Sequence, residues 1–295
     1  MKPAPFAYER PTDLDQALLL LDRHGPEAKP LAGGQSLLPM LALRMVRPAV
    51  LVDLNRLEGM ARLEVGDGRV VVGPLVRHQA AVESAALRQE MPALAEAAAW
   101  IGHREIRNRG TILGSLAHAD PAAELPAVAV AFGAELVLAK AGSQRVVPAE
   151  EFFLGFFTTA LAPGELLVSC RWPLGALGRA GTFREFSLRD GDFALAAVAA
   201  GLVVGADGAV SEVGVALAGM GTGPVRSRKA EAELIGRKPT EGTLLEFAAA
   251  VLAEAEPADD LRATADYRSR LARELIVEAL TASLQRTAEG GHERA

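Results

Sequence analysis

The sequence predicts a protein of the α+β class that folds as two domains. Its 295 residues are about twice the length of an ordinary domain, so one compact core is not expected. Half of the residues are hydrophobic, which excludes a disordered chain and supplies apolar surface for burial. Glycine and proline cluster at 173–181 (PLGALGRAG), where hydrophobic periodicity is lost, and this predicts the boundary between the domains.

Charge and hydropathy narrow the possible partners. The chain has 31 Lys and Arg against 37 Asp and Glu, a net charge of -6, which favours neither nucleic acid nor an anionic membrane as a partner. No apolar run approaches the roughly 20 residues that a membrane span needs, and the first residues do not resemble a signal peptide. These features predict a cytoplasmic protein without a membrane span.

The first domain is predicted to begin with alternating helices and strands. Thr12 or Asp13 is placed to cap the first helix. The predicted elements are a helix at 14–21, a strand at 29–31, a glycine turn, a helix at 36–45 and a strand at 50–54.

The rest of the first domain combines a β-hairpin, buried helices and further strands. Gly66, Asp67 and Gly68 predict the hairpin turn within 63–73, and Pro92 breaks a helical run over 77–100. The stretch 102–121 loses apolar periodicity and is expected to be a functional loop. The remaining predictions are a buried helix at 122–132 and strands at 134–140, 144–148 and 165–172.

The second domain is predicted to hold a hairpin followed by helices. Its two β segments, 194–204 and 210–217, are joined through a turn at Asp207 and Gly208. Residues 225–286 are expected to be mostly helical, and the tail 288–295 is expected to be disordered.

The cysteine and histidine content excludes most metal sites. The only thiol, Cys170, lies in a predicted buried strand, and one cysteine cannot form an internal disulfide or a four-thiolate site. The five histidines are scattered and form no HExxH motif. Redox chemistry in this chain would therefore need an organic cofactor or a partner chain.

The first motif that carries chemistry is a glycine turn at 31–39 (LAGGQSLLP). Gly33 and Gly34 lack a Cβ, so the backbone can turn tightly and direct successive N–H groups to one point, where a phosphate or pyrophosphate fits. Ser36 could donate to a phosphate oxygen. Pattern alone favours an ordinary strand-to-helix turn capped by Ser36, because short glycine motifs occur by chance.

The second motif is the stretch 102–124 (GHREIRNRGTILGSLAHADPAAE). Arg107 and Arg109 precede a glycine turn with small hydroxyl residues, and Asp120 and Glu124 follow it. A nucleotide needs backbone donors for phosphate and carboxylates for ribose hydroxyls, and this stretch supplies both. On charge content alone, a solvated loop in which the arginines pair with Glu105, Asp120 and Glu124 is the stronger interpretation. A second phosphate-suited turn in the same domain favours the nucleotide.

Other nucleotide and nucleophile motifs are missing. The sequence contains no GxxxxGK[ST], GxSxG or SxxK, and its other glycine cluster, GMGTGP at 219–224, fails GxGxxG because proline occupies the last position. Rossmann, P-loop and serine-nucleophile interpretations are therefore excluded.

Three segments together resemble one known family. AGGQSLLP at 32–39, IRNRGTILGSLAHADPAAELP at 106–126 and FREFSLRDGDFALAAVA at 183–199 resemble the FAD-binding medium subunits of the molybdenum hydroxylases, the group of carbon monoxide dehydrogenase and xanthine dehydrogenase. The resemblance extends in order and spacing over nearly the whole chain.

The resemblance implies a fold and its boundaries. A two-lobed FAD-binding domain of the PCMH type would span 1–176, with lobes at 1–57 and 58–176. A C-terminal α+β domain with a small antiparallel sheet and helices would follow at 177–287.

The resemblance also implies a function. Non-covalent FAD would pass electrons from [2Fe–2S] clusters on a small subunit to an external acceptor, after hydroxylation at a molybdenum cofactor on a large molybdopterin subunit, in an (αβγ)2 assembly. No residue of this chain is expected to transfer protons to a substrate.

The resemblance assigns cofactor-binding roles to residues in both motifs and beyond them. The first turn and Thr111, Gly114 and Ser115 would hold the pyrophosphate, Glu124 would meet ribose or ribityl hydroxyls, and Arg184 would bring positive charge near the flavin. The complete implied set is Leu31, Ala32, Gly33, Gly34, Gln35, Ser36, Leu37, Ile101, Thr111, Ile112, Gly114, Ser115, Glu124, Leu167, Arg184, Asp192 and Phe193.

One position departs from the family pattern. Where the family has T-I-G-G-[SN], this chain has Leu113 in place of the first glycine. A positive φ there would cost about 1–2 kcal/mol or block the cofactor, whereas a negative φ with the side chain in the core would be harmless, which is the case we expect. Two alternative functions remain: a degenerate scaffold subunit that has lost FAD, and a stand-alone flavin oxidoreductase, although no histidine lies between 119 and 291 to serve as its acid or base.

Overall fold

The computed structural model describes residues 2–292 and confirms the predicted α+β class. The first lobe contains β1 (Ala7–Glu9), α1 (Leu14–His24), β2 (Ala28–Leu31), α2 (Leu37–Ala42) and β3 (Val50–Asp53). Its strands form a parallel sheet in the order β1-β3-β2. The Asp13 side chain caps α1 by accepting from the N–H of Gln16 at 2.8 Å.

The first lobe shares a core with the second. Helix α1 buries Ala17, Leu18 and Leu21, which lie on one face at helical spacing. These side chains pack with β3 and also with Leu75 and Leu166 of the second lobe. The two lobes are therefore joined by packing as well as by the chain.

The second lobe is built on an antiparallel sheet in the order β4-β5-β10-β6-β7. The turn between β4 and β5 has positive φ at Asp67 and Gly68, as the predicted hairpin requires. The strands of this lobe are β4 (Leu63–Gly66), β5 (Arg69–Val72), β6 (Glu135–Lys140), β7 (Ser143–Pro148), β8 (Phe153–Gly155), β9 (Thr158–Thr159) and β10 (Leu166–Pro173).

The helices of the second lobe differ from the sequence-based prediction in two places. The run over 77–100 is three helices rather than two, because Ser84 is extended and caps the second of them before Pro92 begins the third. The stretch 102–121 contains two short helices, the second capped by Thr111. The helices are α3 (His78–Glu83), α4 (Ala85–Glu90), α5 (Pro92–Trp100), α6 (Arg104–Arg107), α7 (Ile112–His118), α8 (Glu124–Ala131) and α9 (Ala149–Phe152).

Cys170 lies in the middle of the five-stranded sheet. It sits in β10, opposite Val72 of β5 and Leu136 of β6, and it is fully buried. Burial raises the pKa of its thiol well above the usual value. The thiol is therefore a small core side chain.

The C-terminal domain has an antiparallel sheet in the order β11-β12-β13, covered by helices. The strand β11 was not predicted, and the boundary segment contains a short helix, α10. The elements are α10 (Ala176–Ala180), β11 (Thr182–Phe186), β12 (Ala196–Val204), β13 (Val210–Ala218), α11 (Arg228–Leu234), α12 (Glu241–Leu252) and α13 (Ala265–His292).

The last helix corrects one prediction. Because α13 continues to His292, residues 288–292 of the predicted disordered tail are helical, and the rest of that tail, 293–295, lies outside the described residues. Within residues 2–292, no helix is long and apolar enough to cross a membrane.

The two domains are fastened together by packing and by polar contacts. One face of the C-terminal sheet, including Phe183 and Ala199, belongs to the core of the second lobe. The Arg226 guanidinium donates to the Val130 carbonyl of α8, and the Gly219 N–H donates to the Pro121 carbonyl at 2.8 Å. The turn that precedes α8 is thus held against the C-terminal domain.

Candidate functional site

The two glycine turns lie in direct contact. An ideal Cβ on Gly33 would lie 2.4 Å from the Arg109 carbonyl oxygen and 2.7 Å from the Gly110 Cα. Gly34 has a φ of +72°, a conformation that favours glycine. The backbone of the first lobe therefore meets the backbone of the second at a point where no side chain fits.

The first turn presents backbone donors without protein partners. Within residues 2–292, no acceptor pairs with the N–H groups of Gly33, Gly34, Gln35 or Ser36. The Ser36 side chain makes no capping hydrogen bond to α2, so the ordinary capped turn is not what the chain forms. Successive unpaired N–H groups in such a turn are suited to an anion.

The second turn uses some of its N–H groups in hydrogen bonds of its own. The N–H groups of Gly114 and Ser115 are used by Thr111, through its Oγ1 at 3.1 Å and its carbonyl at 3.0 Å, and that of Ile112 donates to the Val76 carbonyl. Among the described residues, the N–H groups of Thr111 and Leu113 have no acceptor. The hydrogen bonds that Thr111 accepts form because this residue caps α7 itself.

Leu113 meets the condition under which it is harmless. It lies in the first turn of α7, its φ is negative, and its side chain is 2% exposed within the core of the second lobe. The Leu113 side chain therefore points away from the turn, and the Leu113 N–H group stays available at the turn.

A chain of polar contacts that the sequence did not reveal ties the turns together. The Asn55 Nδ2 donates to the Ala32 carbonyl at 2.9 Å, and the Arg77 Nη2 donates to the Asn55 Oδ1 at 2.7 Å. The Arg77 Nη1 donates to the Arg109 carbonyl. Asp53 holds Asn55 by accepting from its N–H at 3.0 Å. Arg77 and Asn55 thus bridge the two turns.

His78 supports the second turn from behind. Its N–H donates to the Gly110 carbonyl at 3.1 Å, and its ring lies so close that a Cβ on Gly110 would be 2.7 Å from the ring Cδ2. Burial, with the charges of Arg107 and Arg77, lowers the pKa of His78 to about 4. The imidazole is neutral at physiological pH and adds no positive charge to the site.

The predicted residues near the flavin fall into two groups. Ile101 follows α5, where the Arg107 guanidinium donates to its carbonyl, and the loop of Asp192 and Phe193 lies nearby, since a Cβ on Gly191 would be 3.2 Å from the Gly102 carbonyl carbon. The segments that carry these residues are therefore adjacent at Gly102 and Gly191. Leu167, by contrast, is a core side chain of β10, 3% exposed.

The Arg184 side chain pairs with acidic residues other than Glu124, the carboxylate assigned to the cofactor. Its Nε donates to Glu278 at 2.9 Å, and its Nη1 lies 3.6 Å from Glu96. The next residue, Glu185, is the one whose pKa is affected by the charge of Glu124. Side chains alternate along a strand, so Arg184 and Glu185 lie on opposite faces of β11.

Glu124 and Glu185 are buried carboxyl groups, one from each domain, that interact electrostatically. Each residue is 6% exposed. Burial raises the pKa of both groups, with the charge of Asp120 adding to the effect on Glu124 and that of Glu124 adding to the effect on Glu185. Within residues 2–292, neither Glu185 oxygen has a hydrogen-bond partner.

Comparison with known proteins agrees with this geometry. Residues 4–175 match the FAD binding domain in molybdopterin dehydrogenase, and residues 181–283 match the CO dehydrogenase flavoprotein C-terminal domain. The chain is 38% identical to the 6-hydroxypseudooxynicotine dehydrogenase complex subunit alpha of Paenarthrobacter nicotinovorans, over 97% of both proteins. It is 36% identical to the carbon monoxide dehydrogenase medium chain of Hydrogenophaga pseudoflava, over 98% of this chain and 100% of that one.

Solved structures agree with the sequence matches. Carbon monoxide dehydrogenase from Hydrogenophaga pseudoflava superposes with a TM-score of 0.92 at 37% identity, over 97% of this chain and 99% of the other. Quinoline 2-oxidoreductase from Pseudomonas putida 86 superposes with a TM-score of 0.91 at 33% identity, over 97% and 100%. The resemblance is confirmed: the chain belongs to the family of FAD-binding medium subunits of the molybdenum hydroxylases.

Proposed function

We propose that this chain is the FAD-carrying subunit of a molybdenum-containing hydroxylase or dehydrogenase. It would receive electrons from [2Fe–2S] clusters on a small subunit and deliver them to an external acceptor, while a large subunit transforms the substrate at a molybdenum cofactor. The observation that carries the proposal is the contact between the two glycine turns, which brings unpaired N–H groups from both lobes to one place. An (αβγ)2 assembly and a cytoplasmic location stay predictions.

The residues present fit a dinucleotide cofactor. The N–H groups of the first turn and those of Thr111 and Leu113 would hold the pyrophosphate, because neutral backbone donors suit a buried diphosphate. Glu124 would accept from ribose or ribityl hydroxyls. Leu31, Ala32 and Leu37 flank the first turn and would pack against the cofactor.

The bound flavin would supply the redox chemistry, and the chain would supply position and electrostatics. Ile101, Asp192 and Phe193 stay the predicted neighbours of the ring. The role of Arg184 near the flavin also stays a prediction, and its two carboxylate partners favour a structural role instead. His78, being neutral, helps to shape the second turn without attracting a second anion.

The alternatives gain no support from the site. A degenerate scaffold requires that Leu113 disturb the turn, yet the side chain is packed in the core. A stand-alone oxidoreductase requires a substrate acid or base, and the acid pair of Glu124 and Glu185 is buried between the domains.

The proposal is tested by the cofactor content of the protein purified under gentle conditions. We expect a yellow protein with flavin absorbance that releases one FAD per chain on heat denaturation, identified by chromatography. Co-expression with the small and large subunits should give a complex whose flavin is bleached by the substrate of the large subunit. A chain that neither carries FAD nor binds it when the cofactor is added in excess would refute the proposal.

Removal of the Arg77 bridge should weaken FAD binding. Replacement of Arg77 with methionine (Arg77→Met) keeps the aliphatic stem but removes the donors to Asn55 and the Arg109 carbonyl. Hydrogen bonds that involve a charged group contribute about 1.5–3 kcal/mol, so we expect the FAD dissociation constant to rise about tenfold or more. It is measured by quenching of flavin fluorescence on the cofactor-free protein.

The matched control for Arg77 is Arg69→Met. Arg69 is exposed on β5, away from the turns. The substitution Arg69→Met should leave FAD affinity unchanged. Equal affinities of Arg77→Met and Arg69→Met would show that the bridge does not position the turns.

A further inference from the structure

Glu185 is a buried acid to which the proposed function assigns no role. On β11, Thr182 donates to the Ala279 carbonyl at 3.0 Å and Arg184 donates to Glu278, so both side chains face α13. Phe183 lies on the other face, in the core of the second lobe. The alternation of the strand places Glu185 on the same face as Phe183, toward the FAD-binding domain.

Among the described residues, no cation is paired with Glu185. Glu96 of α5 and Glu278 and Arg286 of α13 form ion pairs around Arg184 on the opposite face. The other buried cation of α13, Arg268, donates to the Leu195 carbonyl at 2.6 Å and pairs with Asp260 at 2.8 Å. Strand β12, the neighbour of β11, has no charged residue. Among the described residues, the charges that act on the pair of Glu185 and Glu124 are their own and that of Asp120.

Ionisation of both buried carboxyl groups would cost free energy, because no cation offsets the repulsion between the two negative charges. A buried polar atom without a partner costs free energy, and both Glu185 oxygens are in this position. Two buried acids that interact reduce this cost by retaining a proton, as paired carboxyl groups do elsewhere. The pair then offers one carboxylate, which accepts, and one carboxylic acid, which donates.

We propose that Glu185 is a further cofactor-binding residue, which forms with Glu124 an acid pair, one carboxyl group from each domain, that shares one proton and binds hydroxyl groups of the FAD polyhydroxy chain. This inference rests on the proposed function. A hydroxyl group donates to the carboxylate and accepts from the acid, so a polyhydroxy chain satisfies both members of the pair. Cofactor binding would then also fasten the two domains together.

The shared proton makes FAD affinity depend on pH in a defined direction. Burial and the charge of Glu124 raise the pKa of Glu185 to about 9. Burial raises the pKa of Glu124 to about 7, so the pair holds one proton between about pH 7 and about pH 9. Because the form with this proton binds, affinity falls as the pH rises through the pKa of Glu185. Above it, the loss approaches about tenfold per pH unit.

The test measures FAD dissociation constants of the cofactor-free full chain from about pH 6.5 to about pH 10. Glu185→Gln keeps a donor that does not titrate, so we expect affinity within about threefold of wild type at neutral pH and a much smaller loss at alkaline pH. Glu185→Leu removes the donor and should raise the dissociation constant about tenfold at neutral pH. Ionisation of the free cofactor affects all proteins equally, and Glu212→Gln, at an exposed position on β13, is the control.

The outcomes separate this inference from the proposed function. If Glu185→Gln loses affinity at alkaline pH as wild type does, and Glu185→Leu binds FAD as tightly as wild type, the inference is wrong while the function stands. If wild type itself binds no FAD, the function fails. If Glu185→Leu does not fold, the pH profile of Glu185→Gln decides.

A second measurement needs no cofactor. A carboxyl group whose pKa is raised by folding stabilises the native state fully below its unfolded value of about 4.3, and this contribution is lost as the pH rises toward the folded value. The melting temperature of cofactor-free Glu185→Gln should therefore exceed that of wild type by a margin that grows from about pH 5 to about pH 9. A margin that does not change with pH would show that Glu185 is not held as an acid, and would overturn the inference.

Discussion

Replacement of Gly33 with alanine should almost abolish FAD binding. The added Cβ would lie 2.4 Å from the Arg109 carbonyl oxygen and 2.7 Å from the Gly110 Cα, and both are backbone atoms that cannot rotate away. The two turns must separate to make room, at a cost of about 1–3 kcal/mol, and the N–H groups on either side then no longer point to one place. We expect the FAD dissociation constant to rise about 100-fold, measured by fluorescence titration of the cofactor-free protein.

A glycine in open space provides the control for Gly33. Gly66 ends β4, has an ordinary φ, and a Cβ there would meet no atom within 4 Å. Gly66→Ala should bind FAD as wild type does. If Gly33→Ala also bound FAD with wild-type affinity, the contact between the turns would have no part in holding the cofactor.

Restoration of the family glycine at position 113 should harm the protein rather than help it. The Leu113 side chain is 2% exposed in the core of the second lobe, so Leu113→Gly leaves a cavity there. Truncation of a buried leucine costs about 3–5 kcal/mol, and glycine in a helix adds up to about 1 kcal/mol. We expect the free energy of unfolding to fall by about 4 kcal/mol, measured by urea denaturation, while the FAD affinity of the folded protein stays within about threefold of wild type.

A substitution that preserves volume separates packing from backbone effects at this position. Leu113→Met should lower the free energy of unfolding by less than about 1.5 kcal/mol. A tenfold gain in FAD affinity on Leu113→Gly would mean instead that the leucine obstructs the cofactor, and would revive the degenerate-scaffold hypothesis.

Some helices and strands are specified by residues close together in the chain, and these elements were predictable from the sequence. The hairpin of β4 and β5 follows from Asp67 and Gly68, which adopt positive φ as such a turn requires. Helix α1 follows from the Asp13 cap and the spacing of its buried residues. The fold class followed from the same signals, and the family followed from three separated motifs.

Elements that depend on tertiary pairing were not predictable. Strand β11 contains Arg184 and Glu185 in adjacent positions, so its pattern resembles an exposed loop, and its formation depends on its register with β12. The capped helix α7 was hidden because it is only seven residues long and lies in a stretch that is otherwise polar. Local propensity is a weak guide where neighbours in space decide the structure.

The same distinction applies to the site. Both glycine turns were found in the sequence, because tight backbone geometry leaves a signature at single positions. The bridge of Asn55 and Arg77 and the pairing of Glu124 with Glu185 join residues that are distant in the sequence, so no local pattern indicates them. The hydrogen bonds within the second turn were not predictable for a related reason, since no local pattern shows that Thr111 accepts from the Gly114 N–H.

The buried position of Cys170 affects how readily the protein is oxidised. Reduced flavins react with oxygen to give hydrogen peroxide, which oxidises cysteine thiolates to sulfenic acid and beyond. Here the single thiol, that of Cys170, is enclosed by neighbouring strands and kept in its protonated, unreactive form. Burial therefore protects Cys170 from hydrogen peroxide formed at a reduced flavin. We expect thiol-directed oxidants to leave the native chain unmodified until it unfolds.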